Sequence, residues 1–299
     1  MDEKKILTPI EDKVEDTESS TFSRKGKFVP IANNSSVESK DSNFVFFFGK
    51  SQIGKSVILA SMLYYMNVRV GTLRPKLSTP NTQEAEILLY DMLDGLKRGI
   101  LPSRTVKDQV MRIDLILDPN NTSKKVKPIS LTFLEISGEN LQEVRRGGSF
   151  HRNIDEYLNA DIPITFLLVT DYENAADDDA LMISFLQKLE GERRNYKRVN
   201  AILIIAKWDK SGSMSARSEE QLNDFIKEQM PMTNNQINNY ELFKTYYTVG
   251  RVVQGDDGID RLEQLNLATA GSLTEWLYES ITGVDINYEG SWFERLFGK

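Results

Sequence analysis

Apolar and polar positions divide the chain into sharply contrasting stretches. Through about Ser42 the residues are acids, lysines, serines and asparagines with only scattered apolar positions. That composition buries too little surface to offset chain entropy, so residues 1–42 are predicted to form a flexible arm. The character changes at Phe44-Val45-Phe46-Phe47-Phe48, a continuous apolar, strand-favouring run that stops at Gly49. A strand apolar at every position is buried on both faces, as in the centre of a parallel sheet. Beyond a short polar loop, Val57, Ile58, Leu59, Met62, Leu63 and Met66 are spaced for one broad buried face, which predicts a helix from Lys55 to about Asn67. A polar link with Gly71, Pro75 and Pro80 comes next, then a second helix from about Thr82 to Lys97, ended by Gly99 and Pro102.

Two apolar runs, Val110 to Leu117 and Ile129 to Ile136, predict an antiparallel hairpin joined through Pro119-Asn120-Asn121. The rest alternates. Strands are predicted at Ile162 to Thr170, Ala201 to Ala206 and Phe243 to Val249, with helices from about Asp177 to Glu190, near Glu219 to Met230 and near Ser272 to Ile281. Strand and helix in alternation predict an α/β fold whose mostly parallel central sheet has one antiparallel strand and helices on both faces. The tail Trp292-Phe293-Glu294-Arg295-Leu296-Phe297 gathers its aromatic and apolar residues on one face if helical. The predicted organisation is an arm (1–42), one domain (43–283) with a helical insertion at about 68–108, and an aromatic amphipathic tail (284–299).

Composition narrows the chemistry. With no cysteine and the single histidine His151, thiol nucleophiles, disulfides and Cys/His zinc sites are excluded. A net charge of −7 argues against a nucleic-acid partner, since phosphate backbones select basic stripes. No apolar run is long enough to span a bilayer, and the tail carries Glu294 beside only Arg295 and Lys299, so neither a transmembrane segment nor membrane contact is expected. The expected location is the cytoplasm.

Gly49-Lys50-Ser51-Gln52-Ile53-Gly54-Lys55-Ser56 fits the phosphate-loop pattern of Gly, four residues, Gly-Lys-Ser, and it lies between an apolar strand and a helix, where its mechanism requires it. Backbone N–H groups of Gly49 to Ser56 would wrap phosphates at a helix N-terminus, Lys55 would reach the β- and γ-phosphates, and the Ser56 hydroxyl would ligate Mg²⁺. Glu135 ends the strand Leu131-Thr132-Phe133-Leu134 and can hold the same Mg²⁺ through a water; Gly138, three residues on, can offer its N–H to a γ-phosphate. At the end of Ala201-Ile202-Leu203-Ile204-Ile205-Ala206, Lys207 can lay an aliphatic stem on a base and Asp209 can accept from N1 and N2 of guanine, a donor pair that adenine lacks. Guanine is therefore favoured over adenine, with neither imposed.

The order of these motifs resembles the GTPases of the P-loop superfamily, of the small-GTPase-like, translation-factor and Ras-type class, over about Phe44 to Gly283. The resemblance implies a three-layer P-loop NTPase fold that binds GTP or GDP with Mg²⁺. It also implies a switch threonine on the metal, for which Thr105 is the candidate, and base contacts from the backbone of Thr248-Val249-Gly250. Three features depart from the family. Glu135-x-x-Gly138 replaces the usual Asp-x-x-Gly, Ala206 precedes Lys207 where a loop-bracing Asn or Thr is usual, and the interval from Ser56 to Glu135 is long. The last is similar to bacterial double-GTPase-type proteins of conflict and defence gene clusters.

Glu139 stands where many members carry a water-orienting glutamine; it could accept a proton but would also repel a γ-phosphate. Arg104, Arg145 and Arg146 are candidates for an arginine in cis, without which hydrolysis is slower by on the order of a thousandfold. The expectation is a Mg²⁺-dependent guanine-nucleotide-binding protein that hydrolyses GTP slowly, through Lys55, Glu139 and Arg104, and acts as a switch for protein partners. An ATPase or phosphotransferase on the same loop, and a module that holds nucleotide without turnover, are the alternatives. His151 reads as a solvated or capping histidine. Asp177-Asp178-Asp179 reads as acid at a helix start, favoured by the helix dipole.

Overall fold

The structure is a computed structural model. It describes residues 40–77, 79, 82–102, 110–136, 157, 160, 162–191, 199–213, 219–239, 241–255 and 260–289. The arm before residue 40, His151 and the aromatic tail from residue 290 onward lie outside the described residues.

Among the described residues, seven strands form the main sheet: β1 (Asn43–Phe48), β2 (Gly71–Pro75), β3 (Val110–Pro119), β4 (Ile129–Ile136), β5 (Ile164–Asp171), β6 (Val199–Ala206) and β7 (Phe243–Tyr246). Their order is β2-β3-β4-β1-β5-β6-β7. Only β3 opposes the common direction, pairing antiparallel with β2 and β4, while β4, β1, β5, β6 and β7 run parallel. The chain leaves β1 for one side of the sheet and later returns to the other, so β1 lies at the topological switch point, where α/β sheets bind ligands beyond their carboxyl ends.

Strand alternation sorts the apolar run of β1 onto two cores. Val45 and Phe47 face a core closed by α1 (Lys55–Tyr65), α2 (Thr82–Lys97) and α6 (Ala268–Thr282). Phe44, Phe46 and Phe48 face a second core closed by α3 (Ala175–Gly191), α4 (Glu219–Gln229) and α5 (Pro231–Asn239). Aromatic rings fill this second layer: Phe46 lies 5.4 Å from Phe166, and Phe166 meets Phe185 edge-on at 5.1 Å. This is the three-layer α/β arrangement of P-loop NTPases.

Several elements differ from the sequence pattern. The link at Gly71 to Pro75 is a strand, β2; Leu73 is its buried side chain, with Thr72 and Arg74 exposed, and its backbone covers the edge of β3. Helix α1 ends at Tyr65 and passes through a π-helical turn, Met66–Val70. Strand β7 stops at Tyr246, leaving Thr248 in a turn; a separate hairpin, β8 (Gly250–Gln254) with β9 (Asp260–Leu265), then precedes α6. Helix α5 has no counterpart in the pattern. Nor is Asp177-Asp178-Asp179 simply acid at a helix start. Asp179 is buried and accepts the backbone N–H groups of Met232 (3.0 Å) and Thr233 (2.8 Å), capping the neighbouring α5.

One buried polar cluster ties β3 to β4. Arg112 donates through Nε (2.8 Å) and Nη2 (3.1 Å) to the carboxylate of Asp114, whose Oδ1 also accepts from the Thr132 hydroxyl at 2.6 Å. Asp114 is 1% exposed, so these donors take the place of the water it loses on burial. We expect Asp114→Ala to lower stability by about 3–5 kcal/mol, by stripping a buried cation of its bidentate partner. Urea titration of the two proteins measures the difference.

Candidate functional site

The carboxyl ends of β1, β4, β5 and β6 meet along one edge, and the singled-out side chains that fall within the described residues gather there. Directly after β1, Gly49 has φ of 150°, and a Cβ at that position would lie 2.1 Å from the Val169 carbonyl oxygen of β5. No other residue fits. The loop then turns through Gln52 (φ 69°) and Gly54 (φ 104°), left-handed conformations that curl its backbone into a concavity before α1 begins at Lys55.

Lys55 is 5% exposed, and its ammonium donates to the carbonyl oxygens of Gly49 (2.8 Å) and Lys50 (2.6 Å). Burial pushes its pKa down to about 8, against the opposing pull of the Glu135 and Asp178 carboxylates. The adjacent Ser56 hydroxyl donates to Glu135 Oε1 at 2.8 Å, across 79 residues of sequence. Parallel pairing creates this contact: β4 sets Glu135 opposite Phe47 of β1, one strand end beside the other. Glu135 is 3% exposed. A hydroxyl and a carboxylate facing each other on the rim of an amide-lined loop are hard oxygen donors, a set that fits Mg²⁺.

At the end of β6 the chain turns sharply at Lys207 (φ 52°) into a 3-10 turn, Trp208–Ser211. Asp209 accepts from the Thr248 hydroxyl at 3.4 Å, and Thr248 is itself anchored by its carbonyl, which accepts from the Thr269 hydroxyl at 2.6 Å. Ala206 packs beside the phosphate loop: a Cβ on Gly54 would lie 3.9 Å from the Ala206 methyl. The contact is apolar, as an alanine at this position requires. Trp208, between the two polar residues of the motif, is buried against Tyr172, Phe225 and Tyr246 and forms the floor of the turn.

The structure thus brings Gly49 to Ser56, Glu135, Lys207 and Asp209 together. Arg104, Thr105, Gly138, Glu139, Arg145 and Arg146 lie outside the described residues. Pattern reasoning missed Asp171, which accepts from Lys207 Nζ at 2.6 Å, and read Asp178, which pairs with Lys50, only as acid at a helix start. The signal for the first was present, since Thr170 and Asp171 are polar residues that end the apolar run Phe166 to Val169.

No family profile matches the sequence, and no curated protein sequence matches it. The chain has a three-layer α/β architecture with a glycine-bearing loop between β1 and α1. Its structure is similar to those of several GTPases. Toc33 from Arabidopsis thaliana, in complex with Mg²⁺ and GMPPNP, superposes with a TM-score of 0.39 at 12% identity, over 82% of this chain and 86% of that one. The small GTPase Arl6 from Trypanosoma brucei superposes at 0.38 and 12% identity, over 80% and 98%. Era from Aquifex aeolicus, bound to GDP and AlF4⁻, gives 0.37 and 13%, over 80% of this chain and 57% of its own.

Holding Lys55 as a buried cation in the loop has a measurable cost. Its proton is bound less tightly folded (about 8) than unfolded (10.5), so the penalty is complete below pH 8, shrinks as pH rises from 8 to 10.5, and is gone above. The shift corresponds to roughly 3 kcal/mol. Lys55→Met should therefore be more stable than the parent at pH 7, by about 1–3 kcal/mol after loss of two hydrogen bonds, and the gap should close by pH 10.5. Paired thermal melts across that range decide it; a gap that widens with pH contradicts the assignment.

Proposed function

We propose that the chain is a Mg²⁺-dependent guanine-nucleotide-binding protein with slow GTP hydrolysis, acting as a nucleotide-dependent switch for protein partners. The observation that carries this reading is the Ser56–Glu135 contact on the rim of the loop that buries Lys55, which puts a hydroxyl, a carboxylate and a cation at the N-terminus of α1. Loop amides from Gly49 to Ser56 would bind phosphate oxygens, and Lys55 would exchange its two carbonyl acceptors for them. Ser56 and Glu135, with Thr105, would hold Mg²⁺, which when bound supplies neutralising charge to the phosphates.

Asp209, supported by Thr248, is the acceptor for the two guanine donors, and the stem of Lys207 is the surface for the base. We assign slow turnover to Glu139 in the position after Gly138, whose charge opposes the γ-phosphate, and hydrolysis to Lys55, Glu139 and Arg104. On the long interval from Ser56 to Glu135 we group the chain with double-GTPase-type proteins of conflict and defence gene clusters.

Titration with fluorescent GTP, GDP and ATP tests the reading. GTP and GDP should bind more tightly than ATP, and Ser56→Ala should abolish the gain in GTP affinity on adding Mg²⁺. Asp209→Asn should move preference from guanine to xanthine nucleotide, because the amide presents a donor where the carboxylate accepted. ATP binding as tight as GTP sinks the guanine assignment; absence of any nucleotide binding sinks the whole reading.

A further inference from the structure

Two lysines of the candidate site are each held by a buried carboxylate, and both carboxylates belong to one short segment, the end of β5 and the first turn of α3. Lys50 pairs with Asp178 Oδ1, while Asp178 Oδ2 accepts from the Thr170 hydroxyl at 2.7 Å. Lys207 pairs with Asp171 Oδ2 at 2.6 Å, while Asp171 Oδ1 accepts from the backbone N–H (2.8 Å) and side-chain amide (2.7 Å) of Asn174. Both carboxylates are 0% exposed, and each lysine is about one-third exposed. The acids are thus the fixed partners and the lysines the movable ones.

We propose that Asp171 and Asp178 are positioning residues that set the two ends of the nucleotide site separately, Asp178 fixing the phosphate loop through Lys50 and Asp171 fixing the base-contacting turn through Lys207. The proposal rests on the nucleotide-binding reading above.

At the phosphate end, Lys50 is held twice, by its side chain on Asp178 and by its carbonyl, which accepts from Lys55. When Lys55 turns to a phosphate oxygen, the second tie is lost. The pair with Asp178 then keeps the loop in its curled form, so the loop does not have to be reordered in the bound state. Asp178 lies in the first turn of α3, where the positive end of the helix dipole favours an acid, and this supports it as an anchor. At the base end, Asp171 lies opposite Ala206 in the β5–β6 pairing, next to Lys207. Lys207 adopts a left-handed backbone that a lysine rarely takes, and its tether to Asp171 holds the ammonium at the end of β5 while the side chain stays about one-third exposed. Neither acid needs to touch the ligand.

The test measures GTP and inorganic tripolyphosphate on the full chain with Mg²⁺, since tripolyphosphate carries the phosphate end of the ligand without a base. Asp171→Asn keeps an acceptor for Asn174 and removes the charge. It should raise the Kd for GTP about tenfold and leave that for tripolyphosphate within about twofold. Asp178→Asn should raise both by about tenfold. Lys207→Met should cost less in the first variant than in the parent, and Lys50→Met less in the second than in the parent, because each pair acts as a unit. Equal loss of both ligands in Asp171→Asn, sparing of tripolyphosphate in Asp178→Asn, or unfolding of either isosteric variant at the assay temperature assigns the acids a purely structural role and overturns the proposal. If the parent protein binds both ligands and the variants do not move, this inference alone fails; if the parent binds neither, the nucleotide reading falls and takes this inference with it.

Discussion

Everything at the candidate site depends on how closely β1 ends against β5. The five residues from Phe44 to Phe48 are at most 2% exposed, so the strand is clamped between two cores and cannot shift to make room for a bulky residue at its end. The next position must be Gly49, because the Val169 carbonyl occupies the place of a side chain. With the strand end fixed and no Cβ in the way, the chain can fold back over its own terminus, and the succeeding residues form a loop whose backbone, rather than its side chains, lines the concavity. A small error in that approach would displace every amide of the loop together, which is why packing far from the loop matters to it.

Within this frame the electrostatics are a compromise. A buried ammonium, three buried carboxylates and two half-buried lysines lie within one end of the sheet, where they satisfy one another and their neighbours: Lys55 on loop carbonyls, Ser56 on Glu135, Lys50 and Lys207 on the acids of β5 and α3. Under the proposed function only the ties of Lys55 to loop carbonyls give way to a polyanion, while the pairs of Lys50 and Lys207 with the acids persist, which limits the rearrangement that binding demands.

The range of the forces involved decided how much of this was legible in the sequence. β1 and the Ala201–Ala206 part of β6 were legible because burial on both faces demands an unbroken apolar run, and the loop because its left-handed glycine and its lysine and serine stand at a particular spacing. Strand β2 was not, since Gly-Thr-Leu-Arg-Pro buries a single large side chain, Leu73, and forms because the edge of β3 offers backbone partners. Helix α5 was hidden for a related reason: its N-terminus is capped by Asp179, a residue of another helix. Hairpin β8–β9 buries Leu262 and little else. In the site, Lys207 and Asp209 declared themselves as neighbours on a strand end, whereas the partnership of Lys207 with Asp171 spans 36 residues and exists only once β5 and β6 pair. Pattern reads what a segment needs from its surroundings; it does not read which distant segment supplies it.

The aromatic floor beneath the turn from Lys207 to Asp209 gives the molecule an optical property. Trp208 is 1% exposed, its indole N–H has no hydrogen-bond partner among the described residues, and three aromatic rings lie within 5.5 Å of it, centroid to centroid. An indole so enclosed emits at short wavelength, because no solvent dipole relaxes around its excited state. Since Trp208 sits in the chain between Lys207 and Asp209, any motion of that turn carries the chromophore with it, and the colour of its fluorescence becomes a gauge of whether the turn is closed on its core or lifted into water.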